Sequence, residues 1–209
     1  MYRPRAFVVD DLAVLHKVIR ERVFVTFAAI LGERVAFAYA PVILDDSEGS
    51  FGTLRFHFAI GNPLAALKDG ARLSLSIMAA DAYVSPDWYK QTVTVPTWNY
   101  IALEGEGSVR RSSREELRQL VIDLSAQEEE KLRPKETWLI DKVPPQRVEA
   151  LLNGIVAFSL PLDRLDGKFK LSQDKTPNDI AGVIAGLEVR GDPASSAIAK
   201  VMRARVIAP

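Results

Sequence analysis

The residues best suited to chemistry lie between Ala82 and Tyr100, in the segment AYVSPDWYKQTVTVPTWNY. This segment holds two of the three tryptophans and three of the five tyrosines of the chain. Beside the rings lie four polar residues, Ser85, Asp87, Thr97 and Asn99. Aromatic faces next to hydroxyl and amide groups suit a flat polar ligand or a partner surface. Because proline fixes φ and removes a backbone donor, Pro86 and Pro96 predict two loops joined by the polar link from Lys90 to Thr94.

A structural alternative accounts for the same rings. Trp88 and Trp98 could plug the ends of a β-barrel, since large aromatic side chains often fill cores. The residue types leave both interpretations open.

Other catalytic signatures are weak. The sequence contains no cysteine and two histidines, so thiolate chemistry and histidine-rich metal sites are not expected. No nucleophile elbow, phosphate-binding glycine loop or dinucleotide fingerprint is present. We expect Glu128, Glu129 and Glu130 to be solvated, because three consecutive positions cannot converge on one helical face. We therefore assign no catalytic residue and no metal ligand.

The elements that must position these residues follow from periodicity. Helical spacing predicts a helix from Asp10 to Arg22, and later helices over about 112–132, 144–153 and 176–205. Alternating or β-branched stretches predict six strands, over 23–31, 34–44, 51–60, 71–79, 98–110 and 154–165. Gly105 and Gly107 would permit a bulge or a close backbone approach. Five of these strands with short turns, within about a hundred residues, indicate a closed or nearly closed antiparallel barrel.

Composition limits the class of protein. The 27 basic residues balance 27 acidic ones, which argues against a dominant nucleic-acid footprint. No run of 18 apolar residues indicates a membrane span, and no apolar stretch follows the basic residues of MYRPRAF as in a signal peptide. We therefore expect a soluble cytoplasmic protein, with residues 1–209 forming a single domain that carries a helical C-terminal extension.

Several blocks together resemble a known family. MYRPRAF, AYVSPDWY, VPTWNY, Trp138 and KLSQDK follow one order over nearly the whole chain. This combination resembles the PaiB family, described as FMN-binding split-barrel proteins and negative transcriptional regulators. The resemblance implies an α+β fold with a mainly β core. It further implies an antiparallel six-stranded split β-barrel with peripheral and C-terminal helices, a homodimer, and FMN held at the dimer interface.

The resemblance also implies cofactor-binding residues. His57 and Asn62 would face the phosphate or the ribityl chain. The rings and polar groups around the isoalloxazine would be Tyr83, Ser85, Trp88, Thr97, Trp98 and Asn99. Lys170, Ser172 and Gln173 would close the site from the other subunit.

Two departures from the family pattern concern the phosphate. Ile60 replaces the arginine that usually precedes the Asn-Pro pair, and Ala38-Tyr39 replaces a Thr-His pair. An arginine fork is the strongest single donor to a phosphate, so its loss predicts weaker FMN binding. Arg55 or Lys170 could compensate. The alternatives are a structural or regulatory dimer without flavin, and a repressor that contacts DNA through Arg110, Arg111 and Arg114.

Overall fold

The structure is a computed structural model that describes residues 1–90 and 94–207, with side chains described as far as Arg205. Among these residues are five α-helices: α1 (Leu12–Glu21), α2 (Arg114–Glu130), α3 (Pro145–Leu152), α4 (Pro177–Arg190) and α5 (Pro193–Ile207). Short 3-10 helices cover Arg5–Phe7, Pro63–Ala66, Pro86–Trp88 and Ile140–Lys142. None of the helices in the described part combines the length and apolar composition needed to cross a bilayer.

The described part of the chain also contains nine strands. Six are long: β2 (Phe24–Leu31), β3 (Arg34–Pro41), β5 (Thr53–Ala59), β6 (Arg72–Val84), β7 (Thr97–Ser108) and β9 (Ile155–Lys170). Three are short: β1 (Val8–Val9), β4 (Ile43–Asp45) and β8 (Arg110–Arg111). The strand order is β3-β2-β6-β7-β9-β5-β4, with β1 and β8 also paired to β9. This open path agrees with a split, mainly antiparallel sheet, and the sheet is not closed.

The chain forms two compact units. The first unit contains Met1–Leu15, Ile77–Leu103 and Asp166–Pro209, and the second contains His16–Ser76 and Glu104–Leu165. Strands β6, β7 and β9 contribute residues to both. The single-domain organisation of residues 1–209 stays a prediction.

The core of the second unit is a cluster of phenylalanine rings. Alternation along β2, β5 and β9 points Phe27, Phe56, Phe58 and Phe158 to the same side, where all four are buried. The ring centroids of Phe27 and Phe56 are 4.3 Å apart, and those of Phe56 and Phe158 are 6.0 Å apart. Such ring pairs add to the free energy gained from area burial.

The helices of the second unit cover a second apolar cluster around Ala157. Leu117, Leu120 and Leu124 of α2 pack there with Val148 and Leu152 of α3. Helix α2 begins with a serine cap at Ser113. Ser113 Oγ accepts a hydrogen bond from the Glu116 amide at 3.2 Å, and the Glu116 carboxylate accepts one from the Ser113 amide at 2.6 Å.

Close backbone approach at the β7 glycines is confirmed within the second unit. A Cβ at Gly107 would overlap the carbonyl oxygen of Pro161, and one at Gly105 would lie 3.2 Å from the carbonyl oxygen of Arg164. Only glycine accommodates such an approach without displacing the neighbouring strand.

The first unit is organised by helix α4. Thr176 caps the helix by accepting a hydrogen bond from the Asp179 amide, and Gly191 ends it at φ 68°. Gly182 and Gly186 lie one turn apart on α4 and face Trp88. A Cβ at Gly186 would overlap the indole ring, and one at Gly182 would overlap the Trp88 carbonyl oxygen. The indole therefore packs directly on the helix backbone.

Two strands extend further than the sequence predicts. β6 continues to Val84 and β9 to Lys170, because alternating burial resumes with a shifted phase at Ala82 and Val84, and continues through Gly167 and Phe169. The prediction of two aromatic loops is therefore only partly right. Pro86 begins a 3-10 helix that ends at Trp88, whereas Trp98 and Tyr100 lie in β7. In the polar link, residues 91–93 lie outside the described residues.

Replacement of Gly186 by alanine tests the packing of Trp88 on α4. We expect Gly186→Ala to lower the free energy of unfolding by about 1–3 kcal/mol, because the new methyl group must displace the indole. Urea denaturation followed by circular dichroism measures this change. Gly61→Ala is the matched control, since a Cβ there meets nothing within 4 Å. An equally small effect of both substitutions would contradict the packing assignment.

Candidate functional site

The twelve residues predicted to bind a cofactor fall into two sets. Nine belong to the first unit: Tyr83, Ser85, Trp88, Thr97, Trp98, Asn99, Lys170, Ser172 and Gln173. Three belong to the second unit: Arg55, His57 and Asn62.

The first unit presents an aromatic surface built from β6 and β7. The rings of Tyr83 and Trp98 meet edge to face, with centroids 6.1 Å apart and planes at 77°. The Trp98 side chain is 51% exposed, so a broad indole face lies open to a ligand. Large exposed rings with a fixed orientation are typical of sites that bind planar molecules.

Lys170 places a cation directly beside this aromatic surface. Its Nζ donates hydrogen bonds of 2.6 Å to Thr97 Oγ1 and of 2.6 Å to the Trp98 carbonyl oxygen. Partial burial lowers the pKa of Lys170. Thr97, Lys170 and Ser172 also line a cavity of about 150 Å³. Lys170 thus borders this cavity and also bonds to the Trp98 backbone, and both of these hydrogen bonds are made within its own chain.

Three other members of the first set have structural contacts. Asn99 is fully buried, and its Nδ2 donates to Ser172 Oγ at 2.9 Å and to Met202 Sδ at 3.4 Å. The Gln173 side chain accepts from the Leu171 amide and donates to the Phe169 carbonyl oxygen. These bonds shape the turn after β9, where Ser172 adopts φ 61°.

Ser85 and Trp88 are also committed to local structure. Ser85 Oγ accepts a hydrogen bond from the Asp87 amide at 3.3 Å and caps the 3-10 helix. Trp88 packs on α4, and the neighbouring Lys90 amide donates to the buried Asp179 carboxylate at 2.7 Å. These contacts favour a structural role for Trp88 over contact with a ligand, whereas Trp98 is open to solvent.

In the second unit, Arg55 is held by carboxylates. Its guanidinium donates to Asp45 at 2.7 Å and to Glu48 at 3.2 Å. Asn62 caps the 3-10 helix that begins at Pro63, because its Oδ1 accepts from the Leu64 amide at 2.9 Å. An incoming phosphate would therefore have to compete with Asp45 and Glu48 for Arg55.

His57 differs from its neighbours because one of its buried nitrogens has no partner. Nδ1 makes no hydrogen bond to any described residue. Burial lowers the pKa of His57, so the imidazole is neutral near pH 7. An unsatisfied buried nitrogen costs free energy, and such atoms are often completed by a ligand or by water.

One exposed surface was missed by sequence reasoning. The outward face of the β2–β3 hairpin carries Phe24, Ile30, Val35, Phe37 and Tyr39, with exposed fractions from 57 to 76%. Cross-strand pairing places Phe37 beside Ala28 and Tyr39 beside Thr26. The sequence did carry a signal for this surface. Both alternating faces of β2 are apolar, whereas a strand with one solvated face is usually polar on that face.

The comparisons with known proteins identify the family. The family described as "Putative FMN-binding domain" matches residues 1–164. The chain belongs to this family. The protein named protease synthase and sporulation protein PAI 2, from Bacillus subtilis, is 28% identical over 207 residues, which cover 97% of this chain and 96% of that protein. The PaiB resemblance is thereby confirmed.

Other similar proteins agree with this assignment. An uncharacterized protein of Emericella nidulans is 32% identical over 203 residues, covering 80% of this chain and 81% of its own. The solved structure of the FAD and heme binding protein from Mycobacterium smegmatis superposes with a TM-score of 0.58 at 16% identity, covering 83% of this chain and 78% of that chain. At this identity the structural likeness shows the fold alone, and it confirms the predicted fold class.

Residues of both sets fit a member of the FMN-binding domain family. The open indole of Trp98 suits the planar ring system of a flavin, and the unsatisfied Nδ1 of His57 suits a polar ligand group. Among the described residues, no group of three or more metal-ligating side chains converges.

The pH dependence of stability tests the environment of His57. Its pKa in the folded chain lies below the reference value of 6.5, so the unfolded chain binds more protons as the pH falls below 6.5. We therefore expect the free energy of unfolding to fall with decreasing pH in that range, by at most about 1.4 kcal/mol per pH unit for one group. His57→Gln should remove this component in urea denaturation series, whereas His16→Gln should retain it. An unchanged pH profile in His57→Gln would contradict the buried neutral imidazole.

Proposed function

We propose that this chain is a flavin-binding protein of the PaiB type, and that the Tyr83–Trp98 surface receives the flavin ring. The observation that carries the proposal is the half-exposed indole of Trp98, held edge to face by Tyr83 and flanked by the Lys170 ammonium. Membership of the FMN-binding domain family supports FMN as the nucleotide.

The residues of the first unit have distinct roles in this proposal. The Trp98 face packs against the ring and excludes water from it. Lys170 is positioned by the Thr97 hydroxyl and the Trp98 carbonyl, so its positive charge stays at the edge of the aromatic surface. A bound flavin supplies the redox chemistry, and the charge that the protein places near the ring adjusts its electronic properties.

Titration with FMN tests the proposal directly. We expect saturable binding at one FMN per chain, seen as quenching of flavin fluorescence. Trp98→Ala should weaken binding about tenfold, because it removes both stacking and buried area.

The matched control for Trp98→Ala is Tyr2→Ala, another exposed aromatic residue of the first unit that lies against Lys168. It should leave the affinity within about twofold of the unaltered chain. No saturable binding of FMN would refute the flavin proposal, and equal effects of both substitutions would refute the assignment to Trp98.

The substitutions at Ile60 and Tyr39 favour a second candidate, a regulatory or structural dimer that has lost its flavin. Ile60 is 65% exposed and Tyr39 is 63% exposed, so neither apolar side chain is needed in the core. Neither position supplies a guanidinium or an imidazole, and Arg55 is engaged by two carboxylates. On this candidate, neither FMN nor riboflavin would show saturable binding.

Ile60→Arg tests whether the missing guanidinium limits affinity. We expect this substitution to tighten FMN binding about tenfold to a hundredfold, since a charge-assisted bond to phosphate is restored. Riboflavin binding should stay unchanged in the same fluorescence titration. Val189→Arg adds the same charge at an exposed position of α4 and serves as the control. An equal gain for FMN and riboflavin would contradict a phosphate contact at position 60.

We also propose that the chain is a homodimer that buries the β2–β3 face. Five large apolar side chains cluster on this hairpin, and exposed patches of this kind mark interaction sites. A twofold dimer would use the same surface on both copies.

Disruption of the dimer is expected from a charge in this face. Phe37→Glu should convert the dimer to a monomer in sedimentation velocity experiments at micromolar concentration, because an unpaired carboxylate would have to be buried. Val189→Glu, at an exposed position of α4, should stay dimeric. A monomeric unaltered chain, or a dimeric Phe37→Glu variant, would refute this interface.

A regulatory role and a cytoplasmic location complete the proposal. The regulatory role rests on the PaiB resemblance, and the location rests on the cysteine-free sequence. Direct DNA contact through the arginine cluster is disfavoured, because its cations are engaged. Arg110 pairs with Glu116, and its hydrogen bond lowers the pKa of the Glu116 carboxyl to about 2. Arg114 pairs with Glu149. Arg111 donates to the carbonyl oxygens of Ala65 and Leu67.

A further inference from the structure

The first unit contains a second cavity that the flavin proposal does not use. It has a volume of about 490 Å³ and lies between α4, α5 and the turn after β9. Its size is within the range of small-molecule pockets. Position 205 on α5 and positions 180, 184 and 185 on α4 all face it.

The walls of this cavity are mostly aliphatic. Ile180, Ile184 and Ala185 of α4 recur at helical spacing and form one wall, and Leu171 and Met202 form part of the rest. The Gln173 amide also borders the cavity, but it is already bonded to the Leu171 amide and the Phe169 carbonyl oxygen. An apolar ligand body would therefore bury its surface without leaving a protein polar group unpaired.

The charged residues at the cavity are all cationic. Arg203 is neutralised by Glu188, whose carboxylate accepts from the guanidinium at 2.5 Å. Arg205 differs, because no carboxylate of the described residues lies within ion-pair distance of its guanidinium, which instead stacks over the Phe169 ring at 5.7 Å. An arginine held on an aromatic face keeps its in-plane donors available for an anion.

We propose that this cavity binds an amphipathic monoanion, a medium-chain or aryl carboxylate, with its apolar body between α4 and α5 and its carboxylate on Arg205. Charge complementarity indicates the class of ligand, since none of the described residues that line the cavity is acidic, and Arg205 at its border has no acidic partner among them. The guanidinium fork matches the geometry of a carboxylate. This site is separate from the Tyr83–Trp98 surface and does not depend on flavin binding.

Calorimetric titration of the full chain with sodium decanoate tests the proposal, with decan-1-ol as the uncharged probe. We expect one decanoate per chain, and decan-1-ol binding at least tenfold weaker. Arg205→Ala should weaken decanoate at least tenfold and leave decan-1-ol unchanged. Arg190→Ala is the matched control, because Arg190 lies on α4, pairs with Asp192 at 2.7 Å and does not line the cavity.

Filling the cavity provides an independent variant. Ala185→Trp should abolish binding of both probes, and an unchanged circular dichroism melting curve shows that the variant is folded. Arg205→Gln removes the charge but keeps a polar side chain, and it should also weaken the binding of decanoate.

Several outcomes would overturn the proposal. They are the absence of saturable decanoate binding up to about 1 mM, equal affinity for the acid and the alcohol, and an Arg205→Ala variant that binds like the unaltered chain. Competition between decanoate and FMN would assign the cavity to the flavin. A change from dimer to monomer in Ala185→Trp would identify a second copy of this chain as the occupant.

Discussion

The absence of a side chain at Gly182 and Gly186 is the constraint on which the first unit depends. These two glycines let the Trp88 indole and carbonyl lie against the backbone of α4. The same contact holds the segment after β6 close to the helix, where the Lys90 amide reaches the buried Asp179 carboxylate. One face of α4 thus receives Trp88, while another contributes a wall to the cavity bordered by Arg205.

Among the described residues, most buried polar side chains are hydrogen-bonded within the chain, whereas one buried nitrogen is not. Asn99 and Ser172 are buried as a bonded pair, and the Thr176 cap and Asp179 complete each other's hydrogen bonds. These networks specify the turn after β9 and the start of α4, because a partly satisfied group there would be costly. His57 Nδ1 lacks such a partner among the described residues. The contrast is why His57, and not Asn99, is the better candidate for contact with a ligand.

The exposed apolar side chains form two different surfaces. Trp98 in the first unit and the β2–β3 face in the second both expose apolar surface to water. A chain of this size could have buried that surface in its core. The two surfaces differ in their surroundings. Lys170 and Thr97 border Trp98, which suits a polar planar ligand, whereas the hairpin presents a row of aliphatic and aromatic side chains, which suits another protein surface.

The sequence by itself determined the strands, the main helices and the family. Alternation, capping residues and ordered blocks such as VPTWNY are local signals, and local signals can be read without coordinates. The family also pointed to a region of the chain in which Tyr83 contacts Trp98 and Lys170 contacts Thr97. Only the tertiary structure decided which predicted residues are free to act. Trp88 and Trp98 are the same residue type ten positions apart, yet one packs on a helix more than ninety positions along the chain and the other is open to water. Likewise, Arg55 is engaged by Asp45 and Glu48 across the β4–β5 turn, whereas Arg205 has no carboxylate partner among the described residues. Such pairing is set by three-dimensional contacts that sequence spacing does not encode.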